Sequence, residues 1–367
     1  GDASVSMCQN LPLAVGRRCE HEKLLYECFA VPGFQVFLES DPAPNLDCLS
    51  GNESWGTCNN GEFLCKARAK LSPTTFHTIF SVQSSRYFEW QVRYFRHFFK
   101  KSGQEGQLTR LLSCSKNDHL TTEIDTWLSP QYPKLGQDPY VPYNKPFAIN
   151  HWLRHSGIQA EYIIIVDPDC VFLRSVAKQG FGGGVVVSLA NGKTVDVSKG
   201  KPFGQKGYMD WIKGGPFESL TKKYCPKCPK VDALAVPIII HREDLQRIAP
   251  LWLSITEQIR ADRSSWNPQW NLPTFALSWT TEMYGYIFAA AQLGIFHSVS
   301  DRAQEIVGFN KVVSAPILHY SLKLDVGDGK SWHKYYETAG LVIPEPSKDQ
   351  NEVTKRLLIT THTHTHT

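Results

Sequence analysis

The stretch Tyr162-Ile163-Ile164-Ile165-Val166-Asp167-Pro168-Asp169 decides the fold. An apolar run this short, bounded by polar residues, reads as a strand buried on both faces rather than as a helix. It ends abruptly in two carboxylates spaced i and i+2, which face the same way on an extended chain. In open α/β sheets, ligands gather at the carboxyl ends of the strands. Asp167 and Asp169 can therefore address one divalent cation, directly or through water, and an oxygen-rich site of this kind suits Mg²⁺ or Mn²⁺ bridging a diphosphate. The same residues also admit a plainer reading, in which one acid caps the next turn and the other is solvated.

Outward from this strand, short β-branched runs alternate with longer amphipathic segments. Residues 76–82, 108–113, 161–166, 184–189 and 235–241 read as strands, and 86–101, 145–155, 243–261 and 278–293 as helices. Pro146 is tolerated because it falls in the first turn of its helix. The alternation implies βαβ units and an α/β fold with a Rossmann-type, mostly parallel sheet. Residues 193–230, rich in Gly, Lys and Pro, read as an irregular insertion over that sheet.

The composition, 42% hydrophobic and 20% charged over 367 residues, is that of a soluble globular chain. A net charge of +4 from 39 basic and 35 acidic residues is too small and too well mixed to argue for nucleic acid. The apolar runs fall far short of the roughly 20 residues that span a bilayer. The start at Gly1, without an initiator Met or an apolar signal core, carries the expectation that a leader or membrane anchor was removed ahead of it. Residues 361–367, THTHTHT, read as an affinity tag, preceded by a polar tail at 346–360.

Cysteines are distributed unevenly. Cys8, Cys19, Cys28, Cys48, Cys58 and Cys65 crowd residues 1–70 and read as a small disulfide-rich module of an oxidising compartment. Asn52-Glu53-Ser54 is an N-glycosylation sequon in the same stretch, in keeping with the secretory pathway and a Golgi or ER lumen. Cys225 and Cys228 form a local disulfide or bridge separately to Cys114 or Cys170. No second pair with metal-ligand spacing supports a zinc site.

Two later segments offer chemistry. Ile317-Leu318-His319-Tyr320 ends an apolar run in an imidazole, which suits a third metal ligand or a hydrogen-bonded core histidine. Trp279-Thr280-Thr281-Glu282-Met283-Tyr284-Gly285-Tyr286 sets one acid in an aromatic helix start, either tuned for work or capping the helix it opens. The glycines at 180–184 precede a strand and lack the Lys-Ser/Thr ending of a phosphate loop. The basic residues between Arg86 and Lys101 fit the solvated face of a helix. No G-x-S-x-G or H-E-x-x-H occurs, so a hydrolase triad has no support.

Over nearly all of residues 76–340 the chain resembles the peptidyl serine α-galactosyltransferases of plants and green algae. The resemblance rests on His77-Thr78-Ile79-Phe80-Ser81-Val82, Tyr87-Phe88-Glu89-Trp90-Gln91 and Thr109-Arg110-Leu111-Leu112-Ser113-Cys114. It continues through Asn144-Lys145-Pro146, His151-Trp152-Leu153, Ala249-Pro250-Leu251-Trp252-Leu253-Ser254, Glu282-Met283-Tyr284-Gly285-Tyr286 and Leu318-His319-Tyr320. The related hydroxyproline O-arabinosyltransferases share the Asn-Lys/Arg-Pro, Glu-Met-Tyr-Gly-Tyr and His-Tyr segments. Asp167-Pro168-Asp169 combines the Asp-Ala-Asp of one branch with the Glu-Pro-Asp of the other, and Val231-Asp232-Ala233 is nearer to the arabinosyl branch. Residues 1–70 lie outside the resemblance.

The resemblance implies a GT-A-like glycosyltransferase domain at 71–345 with a retaining, metal-dependent transfer from a UDP-sugar. Asp167, Asp169 and His319 would hold Mn²⁺ (or Mg²⁺). Ser81, Val82, Gln83, Arg110, Asn144, Lys145, Asp167 and Trp279 would meet the donor, and Glu282 and Asp232 would act at the sugar or acceptor. The implied donor is UDP-galactose and the acceptor Ser in a hydroxyproline-rich polypeptide. The alternatives are arabinofuranose onto hydroxyproline, or a secreted sugar- or Ca²⁺-binding module without catalysis.

Overall fold

The computed structural model describes residues 75–114, 116–180, 184–207, 209, 217–262, 274–306, 314–321, 324–327, 330–332 and 334, plus four N-terminal strands. Those strands, β1 (Arg17–His21), β2 (Leu24–Ala30), β3 (Gly56–Thr57) and β4 (Phe63–Arg68), form an antiparallel sheet in the order β1-β2-β4-β3. They belong to a compact unit spanning Gln9–Thr74. Cys28 stands opposite Cys65 in its register. Cys8, Cys48, Cys58 and the Asn52 sequon lie outside the described residues, as do the side chains of Cys19, Cys28 and Cys65.

The larger unit is a mixed α/β fold. Its centre is a seven-stranded sheet that includes β5 (Phe76–Val82), β6 (Gln107–Ser113), β7 (Thr126–Ser129) and β8 (Tyr162–Ile165). These four run parallel, in spatial order β8-β5-β6-β7. Helix α1 (Arg86–Lys101) joins β5 to β6, and α2 (Asn144–His155) lies between β7 and β8. Strand β8 is apolar on both faces and wholly buried, as an inner strand covered on both sides must be. Ile79, Leu111, Ile163 and Ile164 are fully buried. Strand β7 was not visible in the sequence, since Thr126-Trp127-Leu128-Ser129 is short and only half-buried.

Beyond β8, β9 (Cys170–Phe172) leaves the central sheet, and β10 (Ala177–Gln179), β11 (Val185–Ser188) and β12 (Thr194–Val197) form an antiparallel meander. Strand β13 (Phe203–Lys206), helix α3 (Phe217–Tyr224) and strand β14 (Leu234–His241) follow. The region 193–230 thus carries two strands and a helix where the sequence suggested irregular chain. Its strands are too short, and β12 too exposed, for periodicity to reveal them. The sheet is mostly parallel, but β14 pairs antiparallel with β8 and with β13, so the strand expected at 235–241 runs against its neighbours.

Helix α4 (Arg242–Ala261) packs on α5 (Thr274–Gln292), and β15 (Ser298–Ser300) closes the far sheet edge. The pair β16 (Gln304–Ile306) and β17 (Ile317–His319) joins β9 in a small sheet, and β18 (Leu324–Gly327) pairs with β19 (Lys330–Trp332). Helix α5 starts four residues before the position expected from the sequence. Glu282 therefore sits in its third turn and does not cap its start. Among the described residues no helix is long and apolar enough to cross a membrane.

Candidate active site

Strand order places the site. The chain leaves β5 towards β6 on one side, then returns to lay β8 on the other side of β5. The carboxyl ends of β5 and β8 flank this reversal of direction, where a crevice opens in an open α/β sheet. Ser81 and Val82 end β5, Gln83 follows it, and Asp167 and Asp169 follow β8. Because β14 is antiparallel, its beginning lies at the same edge and brings Asp232 there.

The small sheet delivers the imidazole. Strand β17 pairs antiparallel with β9 so that His319 faces Cys170, and the Tyr320 amide donates to the Asp169 carbonyl at 3.1 Å. His319 Nε2 then lies 3.0 Å from Asp169 Oδ1. The other carboxylate oxygen accepts from Lys334 Nζ at 2.5 Å. Burial works against charge on Asp169, yet His319 and Lys334 together hold its carboxyl far below the usual range.

Lys145 comes from the first turn of α2, a crossover helix whose start lies at the carboxyl edge of the sheet. Its Nζ donates to Asp167 Oδ1 at 2.8 Å and to Glu282 Oε1 at 3.4 Å. Burial opposes its charge, but the two carboxylates keep the ammonium above the ordinary lysine range. Glu282 is buried in α5 and locked by its backbone: its amide donates to Tyr140 Oη at 2.9 Å and its carbonyl accepts from Trp252 Nε1 at 2.6 Å. Burial raises the Glu282 carboxyl, Lys145 opposes the rise and Asp167 adds to it. The result is an acid–lysine–acid chain, Asp167–Lys145–Glu282, next to the Asp169–His319 pair.

Beside it, beyond β5 and β6, lies a cleft of about 480 Å³ lined by Gln83, Arg86, Arg110, Asn117 and Asp118 among others. Arg110 is 1% exposed. Its two terminal nitrogens donate to Asp118 at 3.0 and 2.6 Å, and its Nε donates to Thr126 Oγ1 at 3.1 Å.

Other residues named from the sequence are placed differently. Asn144 turns its Oδ1 to the Tyr132 amide at 2.8 Å and so ties the preceding loop to α2. Asp232 reaches the edge, but its carboxylate is taken by the His297 amide at 2.8 Å and by Lys230 at 3.0 Å. Trp279 lies within α5, with its side chain outside the described residues. Cys225 and Cys228 are bonded to each other and Cys114 is disulfide-bonded. Cys170, considered above as a bridge partner, is a free thiol: it sits fully buried on β9, where its Sγ accepts from Gln304 Nε2 at 3.6 Å. Sequence reasoning missed Lys334 and Asp118, because lone charged residues in polar surroundings give no signal until the fold closes over them.

Asp169, Cys170 and His319 bring their ligand atoms within 4.8 Å of one another. Burial holds the Cys170 thiol well above its ordinary pKa. The carboxylate and imidazole of this group suit Mn²⁺ or Mg²⁺, while Asp167 lies outside it with its Oδ1 on Lys145.

A mostly parallel sheet carrying this acid-rich carboxyl edge defines a mixed α/β protein. The chain belongs to the family whose matching domain is described as the hydroxyproline O-arabinosyltransferase family N-terminal domain, matched over residues 76–181 and 207–299, more than half of its length. It is 31% identical over 279 residues to peptidyl serine alpha-galactosyltransferase of Arabidopsis thaliana, covering 72% of this chain and 32% of that protein. The galactosyltransferase of the same name from Chlamydomonas reinhardtii is 27% identical over 289 residues, covering 72% and 36%. Hydroxyproline O-arabinosyltransferase 3 of Arabidopsis thaliana is 28% identical over 240 residues, covering 63% and 60%. The match thus spans about a third of the length of the two galactosyltransferases. His319 and Lys334 fall outside the segments that define the family match.

Proposed function

We propose that this chain is a GT-A-like glycosyltransferase that moves a sugar from a UDP donor to a hydroxyl on a peptide. The observation that carries this reading is the acid–lysine–acid chain Asp167–Lys145–Glu282 set beside Asp169 and His319 at the switch point of the sheet. The cleft lined by Gln83 and Arg110 suits the nucleotide. The Arg110–Asp118 pair fixes one wall of it.

Asp169 and His319, with Asp167, would hold Mn²⁺ or Mg²⁺, which when bound supplies positive charge against the donor diphosphate. Lys145 adds a fixed ammonium at the same edge and is already tied to Glu282. Charge developing on the leaving diphosphate is met by groups in place beforehand, so little reorganisation is needed during reaction. Glu282, desolvated and clamped by Tyr140 and Trp252, is the group to orient the acceptor hydroxyl or face the anomeric carbon. Burial moves its pKa up from the ordinary carboxylate value, the direction that makes a carboxylate a better base. The outcome we assign is retention, with transfer in the lumen of the secretory pathway.

The specific donor we propose is UDP-galactose and the acceptor Ser in hydroxyproline-rich polypeptides, as in the name of the relative at 31% identity. Arabinofuranose onto hydroxyproline is the second reading, favoured by the family match itself. Nucleotide release from a panel of UDP-sugars, with Mn²⁺ or EDTA, with and without a Ser-(hydroxyproline)₄ peptide, tests both. Peptide-stimulated, EDTA-sensitive turnover of one donor names the sugar. Silence across the panel, with no UDP binding by calorimetry, overturns the enzyme reading.

A further inference from the structure

The acidic edge is already partly compensated by the chain itself. Three carboxylates, Asp167, Asp169 and Glu282, face two ammonium groups, and each aspartate has its own: Lys145 on Asp167 at 2.8 Å and Lys334 on Asp169 at 2.5 Å. Lys334 is 13% exposed at its side chain and also donates to the Tyr87 hydroxyl, from the first turn of α1. With His319 on the remaining oxygen, both oxygens of Asp169 are engaged.

A divalent cation arriving alone would meet an ammonium on the carboxylate that it needs, and like charges in a buried site repel strongly. Arrival together with a diphosphate changes the balance. The diphosphate brings negative charge that the displaced ammonium can pair with. Lysine suits this exchange because its compact charge rides on a flexible four-carbon stem.

We propose that Lys334 is a resident counter-ion that holds the metal seat on Asp169 until cation and nucleotide diphosphate bind together, whereupon it moves to the diphosphate. Lys334 is a positioning residue in this scheme, and it makes cation and nucleotide binding mutually dependent. The inference rests on the metal reading above. Coupling between two ligands is reciprocal, so each should raise the affinity of the other by the same factor, typically on the order of 5- to 150-fold.

The test is Mn²⁺ binding to the full chain, followed by the loss of the free-ion paramagnetic resonance signal, with and without UDP. UDP binding is measured by calorimetry with and without Mn²⁺. Wild type should bind Mn²⁺ weakly alone and at least about tenfold more tightly with UDP. Lys334→Met and Lys334→Gln should bind Mn²⁺ alone about tenfold more tightly than wild type, should bind UDP less tightly in Mn²⁺, and should show a reduced coupling factor. Lys334→Arg, which keeps the charge, should stay near wild type. Thermal melts of each variant show that a change in affinity is not lost folding.

If wild type binds Mn²⁺ with UDP but neither Lys334→Met nor Lys334→Gln changes the affinity for Mn²⁺ alone, the counter-ion proposal is overturned while the metal reading stands. If no variant binds Mn²⁺ even with UDP, the metal reading fails and takes this proposal with it.

Discussion

Gly285→Ala sets two physical effects against each other inside the Glu282-Met283-Tyr284-Gly285-Tyr286 segment. Alanine is the better helix former by about 1 kcal/mol, so propensity alone predicts a more stable α5. The packing against α4 opposes that. A Cβ at position 285 would lie 2.1 Å from Thr256 Oγ1, 2.9 Å from the Trp252 carbonyl oxygen and 3.1 Å from Trp252 Cδ1. Ordinary contacts sit near about 3.5–4 Å, so the helices must part or Thr256 must turn away.

Thr256 is not free to turn, since its hydroxyl donates to the Trp252 carbonyl at 2.8 Å in a buried setting. Overpacking costs about 1–3 kcal/mol and the lost hydrogen bond about 1 kcal/mol. After the propensity gain, the net is a loss of about 1–3 kcal/mol. That corresponds to a melting temperature lower by roughly 2–8 °C for a domain of this size. Activity should fall further than stability. Trp252 also holds the Glu282 carbonyl, and a shift of about 1 Å at a reacting group can cost about 10²-fold. Thermal denaturation and UDP-sugar turnover on the same preparation measure both. Adding Thr256→Ala should recover part of the melting temperature, because the Trp252 carbonyl clash remains. A Gly285→Ala protein that melts at or above wild type and turns over normally would refute the close-approach argument.

Glu282→Gln should melt no lower than wild type at neutral pH. Burial lifts the Glu282 carboxyl in the folded state, so its ionised form costs stability at pH values above the unfolded value. Sugar transfer should nonetheless drop by about 10²-fold or more, read as product on the peptide. Asp118→Ala leaves Arg110 as an unpaired buried charge and should cost about 2–4 kcal/mol, towards the low end of the range for a broken buried pair because Asp118 is 14% exposed. Arg110→Met with Asp118→Leu should recover most of that loss, and a double variant less stable than either single would count against the pair. Burial opposes ionisation of Asp118, but Arg110 holds its carboxyl below the ordinary range. That stabilisation is full above the unfolded pKa and is lost as pH falls through the lower folded value.

Burial, reinforced by neighbouring positive charge, lowers His151 to about 4 and His297 to about 3. The unfolded chain then binds more protons than the fold at pH values below about 6.5. Melting temperature should therefore decline as pH falls from about 6.5 towards those values, and His297→Gln should flatten part of that slope.

Several elements were legible from the sequence because their periodicity was strong. Phe76–Val82 and Arg86–Lys101 have the bounds read from the sequence, and the helices at 144–155 and 242–261 differ by a single residue at the start. A buried parallel strand must be apolar on both faces, which made Ile163-Ile164-Ile165 unmistakable. Direction was not legible. The pattern of Ala235–His241 is equally apolar whichever way it runs, and only its pairing with β8 shows that it is antiparallel.

The sequence by itself determined the ingredients at the carboxyl edge: two acids i and i+2 after a buried strand, an imidazole after another, a lysine opening a helix and an acid within an aromatic one. Those follow from local rules, since strand period and helix start depend on near neighbours in the chain. The tertiary structure alone decided who partners whom. Lys145 spans Asp167 and Glu282 across 22 and 137 positions, Lys334 reaches back 165 to Asp169, and Asn144 turns its Oδ1 to Tyr132. Charge pairing acts through space and desolvation, neither of which depends on separation along the chain, so these partners become fixed only when the helices and the small sheet close over the edge.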